Sequence, residues 1–109
     1  METKCILVEI TEGIGVLTIN RPGSLNTLNS EVLEEMESAL VGLESDAAVK
    51  VVVVTGAGNK AFVAGGDIKE MLAMDPLAAQ AFARTGQRVM LYIGKMKKTV
   101  IAAVNGYAL

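Results

Sequence analysis

Histidine is absent from this sequence, and so is tryptophan. Without an imidazole there is no His-centred triad and almost no route to a catalytic zinc site. The single cysteine, Cys5, rules out a disulfide framework within the chain. It lies in an apolar, strand-like run and reads as a small buried hydrophobe, so no metal site is expected. Aromatic residues make up only 4% of the chain, too few to build stacking platforms for single-stranded nucleic acid. No apolar run approaches the roughly 20 residues of a membrane span, and the opening residues show no signal-peptide pattern. These absences together lead us to expect a soluble, cytoplasmic protein with no nucleic-acid or membrane partner.

What is present is aliphatic. Hydrophobic residues form 51% of the 109, enough for one modest core of Val, Leu, Ile, Ala and Met in a single domain over residues 1–109. The net charge of −2 argues against bulk neutralisation of phosphates. Its distribution is uneven: residues 1–57 carry nine acids and three bases, residues 58–109 three acids and seven bases. The basic second half is either a solvated face or a surface that attracts an anionic small molecule.

Along the chain, residues 4–10 and 15–19 read as two strands joined by a hairpin at Glu12-Gly13. From residue 30 the period changes: Leu33, Met36, Leu40 and Leu43 share one helical stripe up to residue 45, with Asn29 or Ser30 as cap. The β-branched run at 51–55 predicts a buried parallel strand covered on both faces. A short extended piece follows at 61–63, then a short helix from residue 67 to about 74. Asp75-Pro76 restarts a long helix to about residue 95, broken in pattern only by Gly86. Residues 99–105 are strand-like again. The order ββαββααβ is α/β in character.

Two stretches carry candidate chemistry. Gly56-Ala57-Gly58-Asn59-Lys60-Ala61 matches the dinucleotide fingerprint and follows a buried strand, but no helix begins at its glycines. In Ala64-Gly65-Gly66-Asp67 a strand ends, two glycines turn the chain, and a helix begins. Free N–H groups at such a start can hold an oxygen that gains negative charge, and glycine lets a ligand approach the backbone. The same residues also read as a tight turn with Asp67 as a helix cap.

The stretch from Ala61 to Met71, Ala-Phe-Val-Ala-Gly-Gly-Asp-Ile-Lys-Glu-Met, closely resembles the signature of the enoyl-CoA hydratase/isomerase family, the crotonase superfamily. Thr18-Ile19-Asn20-Arg21-Pro22 with Leu25-Asn26-Thr27-Leu28-Asn29, Val52-Val53-Val54-Thr55-Gly56, and the run from Val100 to Ala108 agree in order. The resemblance implies a crotonase-like ββα spiral, of which this chain would be the N-terminal part, and trimers or hexamers for the whole protein. It implies an acyl-CoA thioester as substrate, with coenzyme A belonging to the substrate and no separate cofactor. The Gly66 N–H would be the first oxyanion-hole donor. Leu25, Ala64, Asp67, Ile68 and Lys69 would contact substrate or CoA.

Two positions depart locally from the family pattern, glycine rather than alanine at 66 and threonine rather than proline at 99. In the family, the second oxyanion donor and the two catalytic glutamates come from later segments. None of Glu31, Glu34, Glu35 or Glu70 matches them, so this chain is expected to be inactive alone. A non-catalytic acyl-CoA-binding or assembly module and a related isomerase or dehalogenase remain the alternatives.

Overall fold

The computed structural model describes residues 4–109. Strands β1 (Ile6–Thr11) and β2 (Ile14–Ile19) form an antiparallel hairpin. Its two-residue turn needs left-handed backbone at both positions, which Glu12 (φ 51) and Gly13 (φ 83) adopt. A 3-10 turn at Pro22–Ser24 redirects the chain. Helix α1 (Ser30–Ser45) starts where the Asn29 side chain accepts the Val32 amide at 2.8 Å, and it buries the expected stripe together with Val32.

Strand β3 (Val51–Gly56) runs parallel to β2, and β5 (Thr99–Ala102) runs parallel to β3, giving the order β1-β2-β3-β5. Between β3 and β5 come the short strand β4 (Ala61–Val63), α2 (Ile68–Leu72) and α3 (Pro76–Lys95). Asp75 caps α3 through the Ala78 amide, with Pro76 at its first position. Leu17, Ile19, Val52 and Val54 point from the sheet into the stripe of α1, and Val89 of α3 joins the same cluster. Each fully buried aliphatic side chain there is worth about 1.5–3 kcal/mol.

Two strand expectations need correction. The run at 51–55 is fully buried on one face and only part-buried on the other: α3 packs on α1 rather than across the sheet, and Leu7, Ile14 and Ile101 on the strands beside that second face stay nearly half exposed. The apolar stretch at 99–105 is not one strand, because β5 ends at Ala102 and the chain turns at Asn105. That side chain accepts the Gly56 amide at 3.0 Å and donates to Gly58 and Ala61 carbonyls. The chain then forms β6 (Tyr107–Ala108), parallel to β4 in a separate two-stranded sheet.

The junction of α1, α3 and β5 is fastened by side chains distant in sequence. Arg88 on α3 pairs with Glu37 on α1. The Lys98 ammonium donates to the Leu43 and Asp46 carbonyls at the end of α1, while Glu44 accepts the Lys97 and Lys98 amides. No helix among the described residues is long and apolar enough to cross a membrane.

Candidate functional site

The turn between β4 and α2 is built around Gly65, whose φ of +86 lies where residues with a Cβ are strained. It lies beside the loop 25–28 and hydrogen-bonds to it on one side only. Ala64 N–H donates to Leu25 O at 3.2 Å, Leu28 N–H to Gly65 O at 2.9 Å, and Asp67 N–H to Leu28 O at 2.9 Å. This alternation bridges Leu28 with Gly66 in parallel fashion and turns the Gly66 N–H away from the loop. Among the described residues that amide has no acceptor. Gly66 is only part-buried, so this amide is open to solvent or to a bound ligand.

Three spaces meet at Gly66. A cleft of about 550 Å³ has a mixed polar lining and brings together all six residues singled out from the sequence: Leu25, Ala64, Gly66, Asp67, Ile68 and Lys69. A second, apolar groove of about 600 Å³ runs between α1 and α3, and a third apolar cavity of about 480 Å³ opens toward β4 and β5. An amide at the boundary between polar and apolar space suits a ligand that changes character at that point.

The loop opposite is held under strain. Leu25 and Asn26 both have φ of 54, a conformation easy for asparagine and costly for leucine. Asn26 is wholly buried. Its Oδ1 accepts the Arg21 amide at 2.9 Å, and its Nδ2 donates to the Ala57 and Ala61 carbonyls at 3.0 and 2.8 Å. It therefore ties the loop to the end of β3 and the start of β4.

Asp67 is committed internally. Its Oδ1 accepts the Lys69 and Glu70 amides at 3.0 and 3.3 Å, and its Oδ2 accepts Nη2 of Arg21 at 3.2 Å. Arg21 Nη1 in turn donates to the Thr27 carbonyl and hydroxyl. The Glu70 amide and then Arg21 hold the Asp67 carboxyl below the usual aspartate range. A depressed folded-state pKa means this stabilisation is complete above the unfolded pKa and disappears as pH falls through the folded one. An Asp67→Asn variant, which can still cap α2, is therefore expected to flatten the acid limb of a stability-versus-pH curve. An unchanged acid limb would show that the pair is not maintained in solution.

The other acids lie elsewhere. Glu70 accepts the Ser30 amide and hydroxyl, capping α1 rather than facing the cleft. Glu31, Glu34 and Glu35 border a different groove beside Lys4 and Ile6. Cys5, Glu31 and Glu35 bring a thiol and two carboxylates within 4.8 Å. Burial and the two carboxylates push that thiol pKa up.

The dinucleotide reading of Gly56–Gly58 does not survive the fold. The loop leads into β4, and no helix terminus meets the glycines. Their reason is steric: a Cβ on Gly56 would lie 2.5 Å from the Phe62 carbonyl oxygen, and Gly58 has φ +84. Arg21, Asn26 and Thr27 were not assigned roles from sequence. The only available signal was their place in the motif segment 20–29, since their partners are distant or backbone.

Residues 9–109 match the enoyl-CoA hydratase/isomerase family. The chain is 44% identical over 109 residues to a short-chain-enoyl-CoA hydratase of Clostridium acetobutylicum, covering all of this chain and 42% of that protein. It is 44% identical over 104 residues to a crotonyl-CoA hydratase of Syntrophomonas wolfei, covering 95% of this chain and 40% of the other. The crystal structure of an enoyl-CoA hydratase from Bacillus anthracis superposes with a TM-score of 0.90 at 33% identity, over 94% of this chain and 40% of that one. The chain thus spans about two fifths of the length of these relatives.

Proposed function

The chain belongs to the enoyl-CoA hydratase/isomerase family, and from that premise we propose that it supplies one half of an oxyanion hole for an acyl-CoA thioester. The reaction served is the reversible addition of water across the double bond of a 2-enoyl-CoA to give a 3-hydroxyacyl-CoA. The observation that carries this reading is the unpaired Gly66 amide at the meeting point of one polar and two apolar spaces.

In this reading the thioester carbonyl oxygen accepts the Gly66 N–H. Attack of water at the β-carbon moves electron density onto that oxygen, giving an enolate, and the amide holds the charge as it forms. One such preorganised donor is worth about 3–4 kcal/mol of transition-state stabilisation. The amide is fixed before the ligand arrives by the Leu28 ladder and, through Asp67, by Arg21. Leu25, Ala64, Asp67, Ile68 and Lys69 line the cleft that takes the CoA moiety in this reading. Coenzyme A is carried by the substrate, so no further cofactor is invoked.

Neither Asp67 nor Glu70 is free to act as general acid or base, because Arg21 and Ser30 occupy them. We place the second oxyanion donor and the acid–base pair outside these 109 residues, and propose that this chain alone does not turn over. The active form is proposed to be a homotrimer or a hexamer. The single cysteine suits a reducing compartment such as the cytoplasm. Family isomerases share the enolate step and differ in the acid–base groups, and a purely binding role would use the same amide.

The test is an NMR titration of glycine-¹⁵N-labelled chain with crotonyl-CoA. The Gly66 amide proton is expected to move downfield, with matching deshielding of a ¹³C-labelled thioester carbonyl. A Gly66 resonance unmoved at saturating ligand, or no binding, would remove the reading. Hydration by the chain alone, followed as loss of enoyl absorbance, is expected to be undetectable. A rate near that of an intact family enzyme would overturn the assignment of acid and base outside this chain.

A further inference from the structure

Gly86 lies in the middle of α3, a 20-residue helix, where glycine costs about 0.5–1 kcal/mol relative to alanine. Packing does not ask for it. A Cβ at this position would meet only Leu33 Cδ1, at 3.8 Å, an ordinary contact. Gly42 and Gly94, the other glycines inside helices, face solvent with nothing within 4 Å. Gly86 instead borders the apolar groove between α1 and α3 that begins at Gly66.

The groove follows one face of α3. Phe82, Gly86 and Met90 recur at four-residue intervals and therefore stack along that face, with Leu28 and Leu33 opposite. The Phe82 ring edge lies within 3.8 Å of where a Cβ on Gly66 would be, so the near end of the stripe stands beside the unpaired amide. With a side chain missing at 86, the stripe is notched between a phenyl ring and a thioether. A thioester carbonyl held at Gly66 would have its acyl chain start beside Phe82, with the notch next along the stripe.

We infer that Gly86 is a specificity-determining residue, setting how long an acyl group this site accepts. The inference rests on the acyl-CoA reading above. The second apolar cavity at Gly66, which Ala102 borders, offers the competing path for the chain.

Isothermal titration of the 109-residue chain with acetyl-CoA and hexanoyl-CoA tests it, for wild type, Gly86→Ala, Gly86→Leu and Ala102→Leu. Wild type is expected to prefer hexanoyl-CoA, since each methylene entering an apolar site strengthens binding several-fold. Gly86→Leu should lower that preference by about tenfold or more with acetyl-CoA affinity kept within about twofold. Gly86→Ala should lower it by about threefold while raising the melting temperature, so the test survives if the leucine variant folds poorly. Ala102→Leu should leave the preference in place. Retained preference in both Gly86 variants, or its loss in Ala102→Leu, would overturn the role of Gly86 while the thioester reading stands. Failure of wild type to bind either ester would overturn both.

Discussion

Replacing Asn26 with leucine is expected to cost about 3–5 kcal/mol of stability, read as a fall in the urea midpoint at unchanged slope. The side chain is fully buried and makes three hydrogen bonds, each to the backbone. A leucine of similar bulk would leave the Arg21 amide and the Ala57 carbonyl without partners, whereas the Ala61 carbonyl keeps its bond from Asn105 at 3.2 Å. These groups are only part-buried, so leaving them unpaired costs about 1–2 kcal/mol each, and a left-handed leucine adds about 1 more. Asparagine is suited here on both counts. It tolerates φ of 54 and presents a donor and an acceptor on one short stem.

The effect should reach the site as well. Asn26 sits between Leu25 and Leu28, whose backbones accept and donate the bonds that orient Gly66. Loosening that loop would let the Gly66 amide find water or a new internal partner, and crotonyl-CoA affinity should fall with stability. A loss below about 1 kcal/mol would mean that the loop is held chiefly by the Arg21 ion pair instead.

The second large effect separates two glycines that look alike in sequence. Gly56→Ala is expected to destabilise the chain by about 3 kcal/mol or more, or to prevent folding. Its Cβ would lie 2.5 and 2.7 Å from the Phe62 and Ala61 carbonyl oxygens and 2.8 Å from Nδ2 of Asn26. Two of these are backbone atoms, so β4 itself would have to move. At Gly66 the added methyl would meet the Met71 Cε, the free end of a flexible thioether, and otherwise only Phe82 at 3.7 Å. The backbone there is not left-handed.

Gly66→Ala should therefore stay within about 1 kcal/mol of wild type, because reduced freedom of the unfolded chain offsets the displacement of Met71. It keeps the N–H, so ligand binding should persist. Paired thermal melts measure the contrast. Equal losses at the two positions would show that Met71 cannot yield and that the turn is as tightly packed as the end of β3.

Much of the architecture was readable because it is local. The 3.6-residue stripe and Asn29 cap define α1, Asp75-Pro76 opens α3, and Glu12-Gly13 sets the hairpin, each through interactions spanning a few residues. The six candidate site residues came from motif resemblance, and the structure places all of them around one cleft. The apolar run at 99–105 misled because hydropathy does not show where a strand changes partner. The β-branched run at 51–55 misled because periodicity does not say which face a helix will choose.

The sequence by itself determined the helices, the first four strands, the helix caps and the glycine turn, since those depend on side-chain period, backbone φ preferences and hydrogen bonds between near neighbours. Only the tertiary structure decided that the Gly66 amide is left unpaired, that Asp67 is satisfied by Arg21 across 46 residues, and that Asn26 is buried between two strand ends. Those outcomes depend on which distant groups arrive within hydrogen-bonding distance of one another, and that is set by packing the whole chain.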